Sequence, residues 1–245
     1  MDYGKSNPDN ASPDNALEEN NRETQETKGG STKELHALRE NYTEGELSDS
    51  VLSIDPWALF DEWFLSFQSF SPKDSNAMIL STNSASGFPK QRTVLAKKIE
   101  QGRITFYTNY TSDKAQEIDT NPKVSVLFPW HLQERQVLMQ GTAKRVSFTE
   151  TDTYFQSRPR ESQIGAWVSK QSDILESREE LETRQREVAA RFTGIKVPTP
   201  SFWGGYIIDV CTIEFWQGRP SRLHDRIRYI RDSDTHIWEA KRVSP

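Results

Sequence analysis

The sequence predicts a mainly β protein with helices: a single domain built on an antiparallel, Greek-key-like sheet closed as a barrel. Three observations carry this expectation. Five short runs rich in β-branched and aromatic residues lie between residues 77 and 146, with turn residues between them. Strand-like patterning returns after residue 203, so the helical stretch before it is an insert within one domain and not a boundary between two. No Gly-x-Gly-x-x-Gly or Walker pattern interrupts the runs, which disfavours a doubly wound nucleotide fold.

The first expected element is a helix over 56–70. Asp55-Pro56 supplies an N-cap with proline at the first helical position, and Trp57, Phe60, Phe64 and Phe67 recur at spacings of three and four. That aromatic stripe is core material. Residues 77–82, 92–99, 103–108, 123–128 and 136–146 are the expected strands, with turns at Ser86-Gly87 and Gln101-Gly102. Asn121-Pro122 closes a short helical stretch around 115–118. Thr149 is the expected N-cap of a further helix, with Glu150 and Asp152 in its first turn and Tyr154 and Phe155 inside. The charged residues of 177–192 form a helix with a solvated face. Pro198 and Pro200 then break the chain, and 203–216, 223–231 and 237–243 read as strands.

Charge is unevenly distributed. Residues 1–34 hold eight acidic and four basic side chains, so this stretch carries −4 of the net −5, with Met1, Tyr3, Ala11, Ala16 and Leu17 as its apolar residues. So little apolar surface cannot offset the entropy of ordering the segment, and 1–34 reads as a disordered acidic tail on a domain spanning 35–245. The body is nearly neutral and shows no sizeable basic patch, which argues against nucleic acid or an anionic membrane as partner. No apolar run approaches the roughly 20 residues of a membrane span, and the polar N-terminus lacks a secretory core. An intracellular, cytoplasmic setting is expected. The single cysteine, Cys211, fits a reducing compartment, and its neighbours Val210 and Ile213 suggest a buried thiol.

Metal and Ser-His-Asp chemistry are disfavoured. His36, His131, His224 and His236 lie far apart without metal-ligand spacing, and no Gly-x-Ser-x-Gly elbow is present. Three sets of residues stand out instead. Arg92 and Lys97 bracket Thr93, Val94, Leu95 and Ala96, and Lys114 follows Tyr107-Thr108-Asn109 at the start of a helix, a donor set suited to a phosphate. Strand alternation would point Arg92 and Lys97 to opposite faces, so a wet strand face is the competing reading. Tyr154, Arg158, Ser162, Gln163, Gln171 and Ser172 fall within nineteen residues. Glu214 to Gly218 precedes Arg222-Leu223-His224-Asp225-Arg226, where alternation in a strand would put Arg222, His224 and Arg226 on one face and call for an anionic ligand.

Three long strings go further: Arg158 to Trp167 (RPRESQIGAW), Phe202 to Tyr206 (FWGGY) and Glu214 to Arg226. Together with the terminal Arg-Val-Ser-Pro they resemble the pyridoxamine 5′-phosphate oxidase family, over about 35–245. The resemblance implies an FMN-binding split β-barrel, a homodimer with FMN at the subunit interface, and oxidation of pyridoxamine 5′-phosphate or pyridoxine 5′-phosphate by O2 to pyridoxal 5′-phosphate and H2O2. By matching position it implies that Arg92, Thr93, Val94, Leu95, Lys97, Tyr107, Thr108, Lys114, Gln136, Gln171, Ser172, Trp216 and Arg226 hold FMN. It places Lys97, Tyr154, Arg158 and Ser162 at the substrate phosphate, Arg222 and His224 at the reacting end, and Arg39 and Tyr42 on a segment closing over the site. A split-barrel flavin reductase with another substrate, or a non-catalytic pyridoxal phosphate carrier, are the alternatives. One departure stands out: Ser112-Asp113-Lys114 replaces the family's usual Ser-Arg-Lys.

Overall fold

The computed structural model describes residues 41–245 apart from Gln101. A single antiparallel sheet of nine strands dominates it: β1 (Ala77–Asn83), β2 (Pro89–Leu95), β3 (Lys98–Glu100), β4 (Arg103–Asn109), β5 (Lys123–Phe128), β6 (Arg135–Arg145), β7 (Trp203–Gln217), β8 (Asp225–Arg231) and β9 (Trp238–Arg242). Its order is β2-β1-β5-β6-β7-β4-β3, with β8 and β9 continuing from β7. The strand after the helical insert pairs with strands before it, as one domain requires.

The 15-residue β7 explains why the sheet curls into a split half-barrel. Its first half pairs with β4 (Asn109↔Trp203 to Arg103↔Asp209) and its second half with β8 (Thr212↔Ile230 to Gln217↔Asp225), while β6 runs along nearly all of it. The change of neighbour coincides with a β-bulge, where Gly141 faces Val210 and Gln140 faces Thr212, so that Cys211 is the extra residue. This corrects the expected buried thiol. Alternation is broken at the bulge and Cys211 points outward, exposed, although Val210 and Ile213 on either side are fully buried. Gly141 has no substitute there: a Cβ would stand 2.3 Å from the carbonyl oxygen of Asp209.

Helix α1 (Pro56–Phe70) begins as expected, with the Asp55 carboxylate accepting from the N–H groups of Trp57 (2.9 Å) and Ala58 (3.2 Å). Its buried face is Trp57, Leu59, Phe60, Trp63 and Phe67, packed on Phe128, Trp130 and Phe215, while Phe64 lies at the edge. Helix α2 (Asp113–Thr120) follows β4. The insert holds α3 (Phe148–Ser157), α4 (Arg160–Val168) and α5 (Arg178–Arg191). Ser147, not Thr149, caps α3, with its hydroxyl accepting from Glu150 N–H. A second core of Phe155, Ala166, Phe192, Val197 and Trp203 fastens the insert to β7, and α5 buries no residue fully.

The expected strand 92–99 is two strands. β2 ends at Leu95 and β3 starts at Lys98 on a different neighbour, β4, because Ala96 N–H bonds Asn76 O while Lys97 N–H bonds Thr105 O. Alternation therefore resets between Arg92 and Lys97. Among the described residues no helix is long and apolar enough to cross a membrane. The boundary expected at residue 35 lies outside the described residues.

Candidate active site

A cavity of about 610 Å³ opens where the end of β2, the end of β4, the start of α2 and helices α3 and α4 converge. The break after Leu95 brings Arg92 and Lys97 into the same hollow, so the wet-face reading does not hold. Among the described residues four cations line it, Arg92, Lys97, Lys114 and Arg158, with Thr93, Tyr107, Thr108, Asn109, Tyr154, Ser162, Ser169 and Gln171 among the polar groups, and no carboxylate. Such a lining is a site for anions.

Three of these cations, Arg92, Lys114 and Arg158, are held by their surroundings. Arg92 reaches back to Thr82 Oγ1 and places one guanidinium nitrogen 3.0 Å from Glu117 Oε2. Glu117, on α2 and nearly buried, also accepts from Thr82 (2.6 Å) and Lys90 (3.0 Å); burial raises its carboxyl's proton affinity, but these bonds and the Arg92 charge outweigh that and hold it below the usual range. Lys114 Nζ lies 3.0 Å from Gln171 Oε1 and 3.3 Å from the hydroxyls of Thr108 and Ser112; burial, then Arg92, pulls its pKa down. Arg158 packs its guanidinium 4.6 Å from the Trp203 ring centre, and its Nη1 is buried without a hydrogen-bond partner among the described residues. A buried guanidinium nitrogen without an acceptor is costly to the protein alone, and an anion in the cavity would satisfy it.

Aromatic rings form the cavity's other wall. Tyr107 and Tyr154 stack at 3.9 Å, and Tyr107 stacks on Trp203 at 5.4 Å. Burial pushes the Tyr107 phenol up to about 12 and raises Tyr154 as well, so both stay protonated as donors at neutral pH.

The other expected residues gather elsewhere. Gln136, Trp216 and Arg226 stand side by side in one row across β6, β7 and β8. The His224 ring lies 4.6 Å from Trp216 and 5.7 Å from Tyr42, and Tyr42 meets Trp216 edge-on at 5.9 Å. None of these, nor Arg222, lines the cavity. Ser172 sits near its rim, its hydroxyl accepting from Asp113 N–H at the start of α2. Arg39 lies outside the described residues.

The expected common face of Arg222, His224 and Arg226 does not form. Arg222 belongs to the turn Pro220–Arg222 and His224 precedes β8. Glu214 supplies the anion that the triad was thought to lack, binding Arg226 through Oε1 (2.9 and 2.8 Å) and Arg228 through Oε2 (2.9 and 2.7 Å). Asp113 is exposed and turned to Lys90 at 3.0 Å, which lowers its pKa. Reading by residue type missed Glu117 and Glu214 as partners of arginines, and Ser169 and Trp203 as lining. Only the strand register and the packing of the insert reveal them.

A family model described as pyridoxamine 5′-phosphate oxidase matches residues 67–192, and one described as the pyridoxine 5′-phosphate oxidase C-terminal dimerisation region matches 203–245. The chain belongs to the pyridoxamine 5′-phosphate oxidase family. It is 46% identical over 216 residues to a pyridoxine/pyridoxamine 5′-phosphate oxidase of Rubrobacter xylanophilus, covering 88% of this chain and 99% of that one. An enzyme of the same name from Escherichia fergusonii is 45% identical over 213 residues, 87% of this chain and 97% of the relative. Among solved structures, PhzG from Burkholderia lata in complex with tetrahydrophenazine-1-carboxylic acid superposes with a TM-score of 0.73 at 27% identity, over 81% of this chain and 98% of that one. An FMN-binding protein from Nostoc punctiforme shares the fold, with a TM-score of 0.63 at 16% identity over 79% and 100% of the two chains.

Proposed function

We propose that the carboxylate-free cavity is where this family member binds FMN and its phosphorylated substrate, and that the row Gln136-Trp216-Arg226, with His224, Arg222 and Tyr42, completes the site across a homodimer. The enzyme oxidises pyridoxamine 5′-phosphate or pyridoxine 5′-phosphate to pyridoxal 5′-phosphate, with O2 as acceptor and H2O2 as product. FMN supplies the two-electron chemistry. The observation that carries the reading is the cation set of the cavity with the unpartnered Arg158 Nη1, since two phosphates need two groups of donors.

The residues divide by position. Arg92 and Lys114, with Thr108, Gln171 and Ser172 at the start of α2, form one group, suited to the FMN phosphate through charge and helix N–H groups. Arg158, Tyr154, Ser162 and Lys97 form the other, suited to the substrate phosphate. Tyr107 and Tyr154 donate as neutral phenols and keep water from one wall. Arg222 and His224 orient the reacting end. Because these two lie apart from the cavity within one chain, a single protomer does not assemble the site. A flavin reductase on the same barrel would have no use for the second phosphate group. A carrier that binds pyridoxal phosphate without turning it over would keep both groups.

The setting inferred is cytoplasmic, supported by the single, unpaired cysteine among 245 residues. The deciding experiment is anaerobic addition of pyridoxine 5′-phosphate to the FMN-loaded protein. Bleaching of the flavin, with recovery and H2O2 on admitting air, is the expected result; a yellow protein that never bleaches would leave only a carrier.

A further inference from the structure

The loop joining β7 to β8 fixes more than the position of His224. The backbone N–H of Arg219 points at His224 Nδ1, 3.1 Å away. A backbone N–H can only donate, so Nδ1 must be the bare, accepting nitrogen of the ring, and the proton of the neutral imidazole then resides on Nε2. Turning the ring over would set a C–H against that N–H and discard the bond. The ring is also not free to turn: Trp216 packs on it at 4.6 Å and Tyr42 at 5.7 Å.

The backbone is bent to make this contact. Ser221 and Arg222 are consecutive non-glycine residues in the left-handed region, with φ of 56° and 62°, and Leu223 N–H closes the turn on Pro220 O at 3.2 Å. Such residues are strained and persist only where their surroundings hold them, which marks the loop as built for a purpose beyond linking two strands. Burial, and then the charge of Arg222, disfavours the imidazolium form of His224.

We propose that His224 works as a fixed hydrogen-bond donor, presenting Nε2–H to the bound substrate, and is not the group that takes up a proton during the oxidation. The lone pair that could accept a proton is on Nδ1, turned to the Arg219 N–H and away from any ligand on the Nε2 side. Arg219 thus acts through His224 as a positioning residue. The inference rests on the reading of His224 as a substrate-facing residue, and only the identity of its role is new.

Two measurements test it. In full-length, FMN-loaded protein labelled with ¹⁵N in its histidines, the signal lost in His224→Gln identifies this ring, and at pH 8 it should show a protonated Nε2 and a bare Nδ1. A ring protonated on Nδ1 overturns the proposal. In turnover with pyridoxine 5′-phosphate, His224→Gln, whose amide reaches the Nε2 position, should keep kcat about tenfold above that of His224→Asn, which cannot reach it, a factor of the size one hydrogen bond supplies. Neither amide is basic, so equal loss in the two variants, with folding verified by unchanged flavin spectra, would also overturn it. A wild-type protein with the Nε2–H ring but no oxidation of the substrate would sink the functional reading instead, leaving the tautomer in place.

Discussion

Arg92 and Glu117 face each other at 3.0 Å across the junction of β2 and α2, with a cation of the candidate phosphate site on one side and a nearly buried carboxylate on the other. Neither can be removed without consequence for its partner. Arg92→Ala should weaken FMN binding by about ten- to a hundredfold, the worth of a hydrogen bond to a charged group, and lower the Tm by stranding Glu117. Fluorescence titration of the apoprotein with FMN measures the first and thermal melting the second. An FMN affinity within twofold of wild type would remove Arg92 from the phosphate site.

The same pair gives a pH dependence with a definite sign. Because Glu117 is held below its ordinary value of 4.5, its contribution to stability is complete above that pH and is lost as pH falls through its lower, folded-state pKa. Wild type should therefore lose Tm more steeply than Glu117→Gln on acidification below about pH 4.5. Parallel Tm curves for the two proteins across this range would contradict the assignment.

Much of this was legible in the sequence, and the exceptions share a cause. Helix α1 could be located because Asp55-Pro56 is a local signal of cap and first turn, and the strands because their residue types repeat locally. The break at Ala96-Lys97 carries no Gly or Pro; it exists because Lys97 is claimed by Thr105, a partner eight residues on. The outward turn of Cys211 depends on the bulge opposite Gly141, and the neutralisation of Arg226 and Arg228 depends on Glu214 of the neighbouring strand. Pairing between strands decides all three. The cavity residues were legible by resemblance, yet their separation from the Trp216 and His224 cluster was not, because sequence order says nothing of which face a strand presents.

Asp113 stands where the family resemblance implies an arginine. Its carboxylate is half-exposed and engaged by Lys90 in a solvent-screened pairing, so it neither blocks the anion site nor helps it. Asp113→Arg should tighten FMN binding by roughly two- to fivefold, consistent with a surface charge near the start of α2, with little change in turnover at saturating FMN. Lys90 keeps Glu117 as a partner in that variant, 3.0 Å away. Equal or weaker affinity by titration would show that the carboxylate contributes to the site.

Removal of residues 1–34 should leave Tm and turnover nearly unchanged, since that stretch offers five apolar residues to a core. Removal through Tyr42 should differ. The Tyr42 ring packs on both Trp216 and His224, and its loss should raise KM for the phosphorylated substrate several-fold, by the scale of an aromatic contact of about 0.5–1.5 kcal/mol. Comparison of the two truncations in steady-state assays separates the tail from the segment; similar kinetics for both would leave Tyr42 without a role.

Arg219 joins that segment to the loop of His224, and its two halves can be tested apart. Its guanidinium donates to Gly45 O at 3.1 Å, lies 3.3 Å from Glu46 Oε2 and 3.5 Å from Asp225 Oδ2. Asp225 in turn accepts from Leu47 N–H and pairs with Arg242, so the side chain of Arg219 helps tie 45–47 to the start of β8. Its backbone N–H, by contrast, serves His224 alone. Arg219→Ala deletes the first function and keeps the second. The ties are partly exposed and share their work with Asp225 and Arg242, so their loss should cost about 1 kcal/mol, a three- to tenfold rise in KM through looser placement of Tyr42. Turnover at saturating substrate should stay within twofold, because the backbone bond to Nδ1 survives. Faster protease cleavage near residues 42–47 should accompany the change in KM. A variant whose kcat fell while KM and cleavage stayed constant would mean that the guanidinium acts on His224 directly and not through the segment.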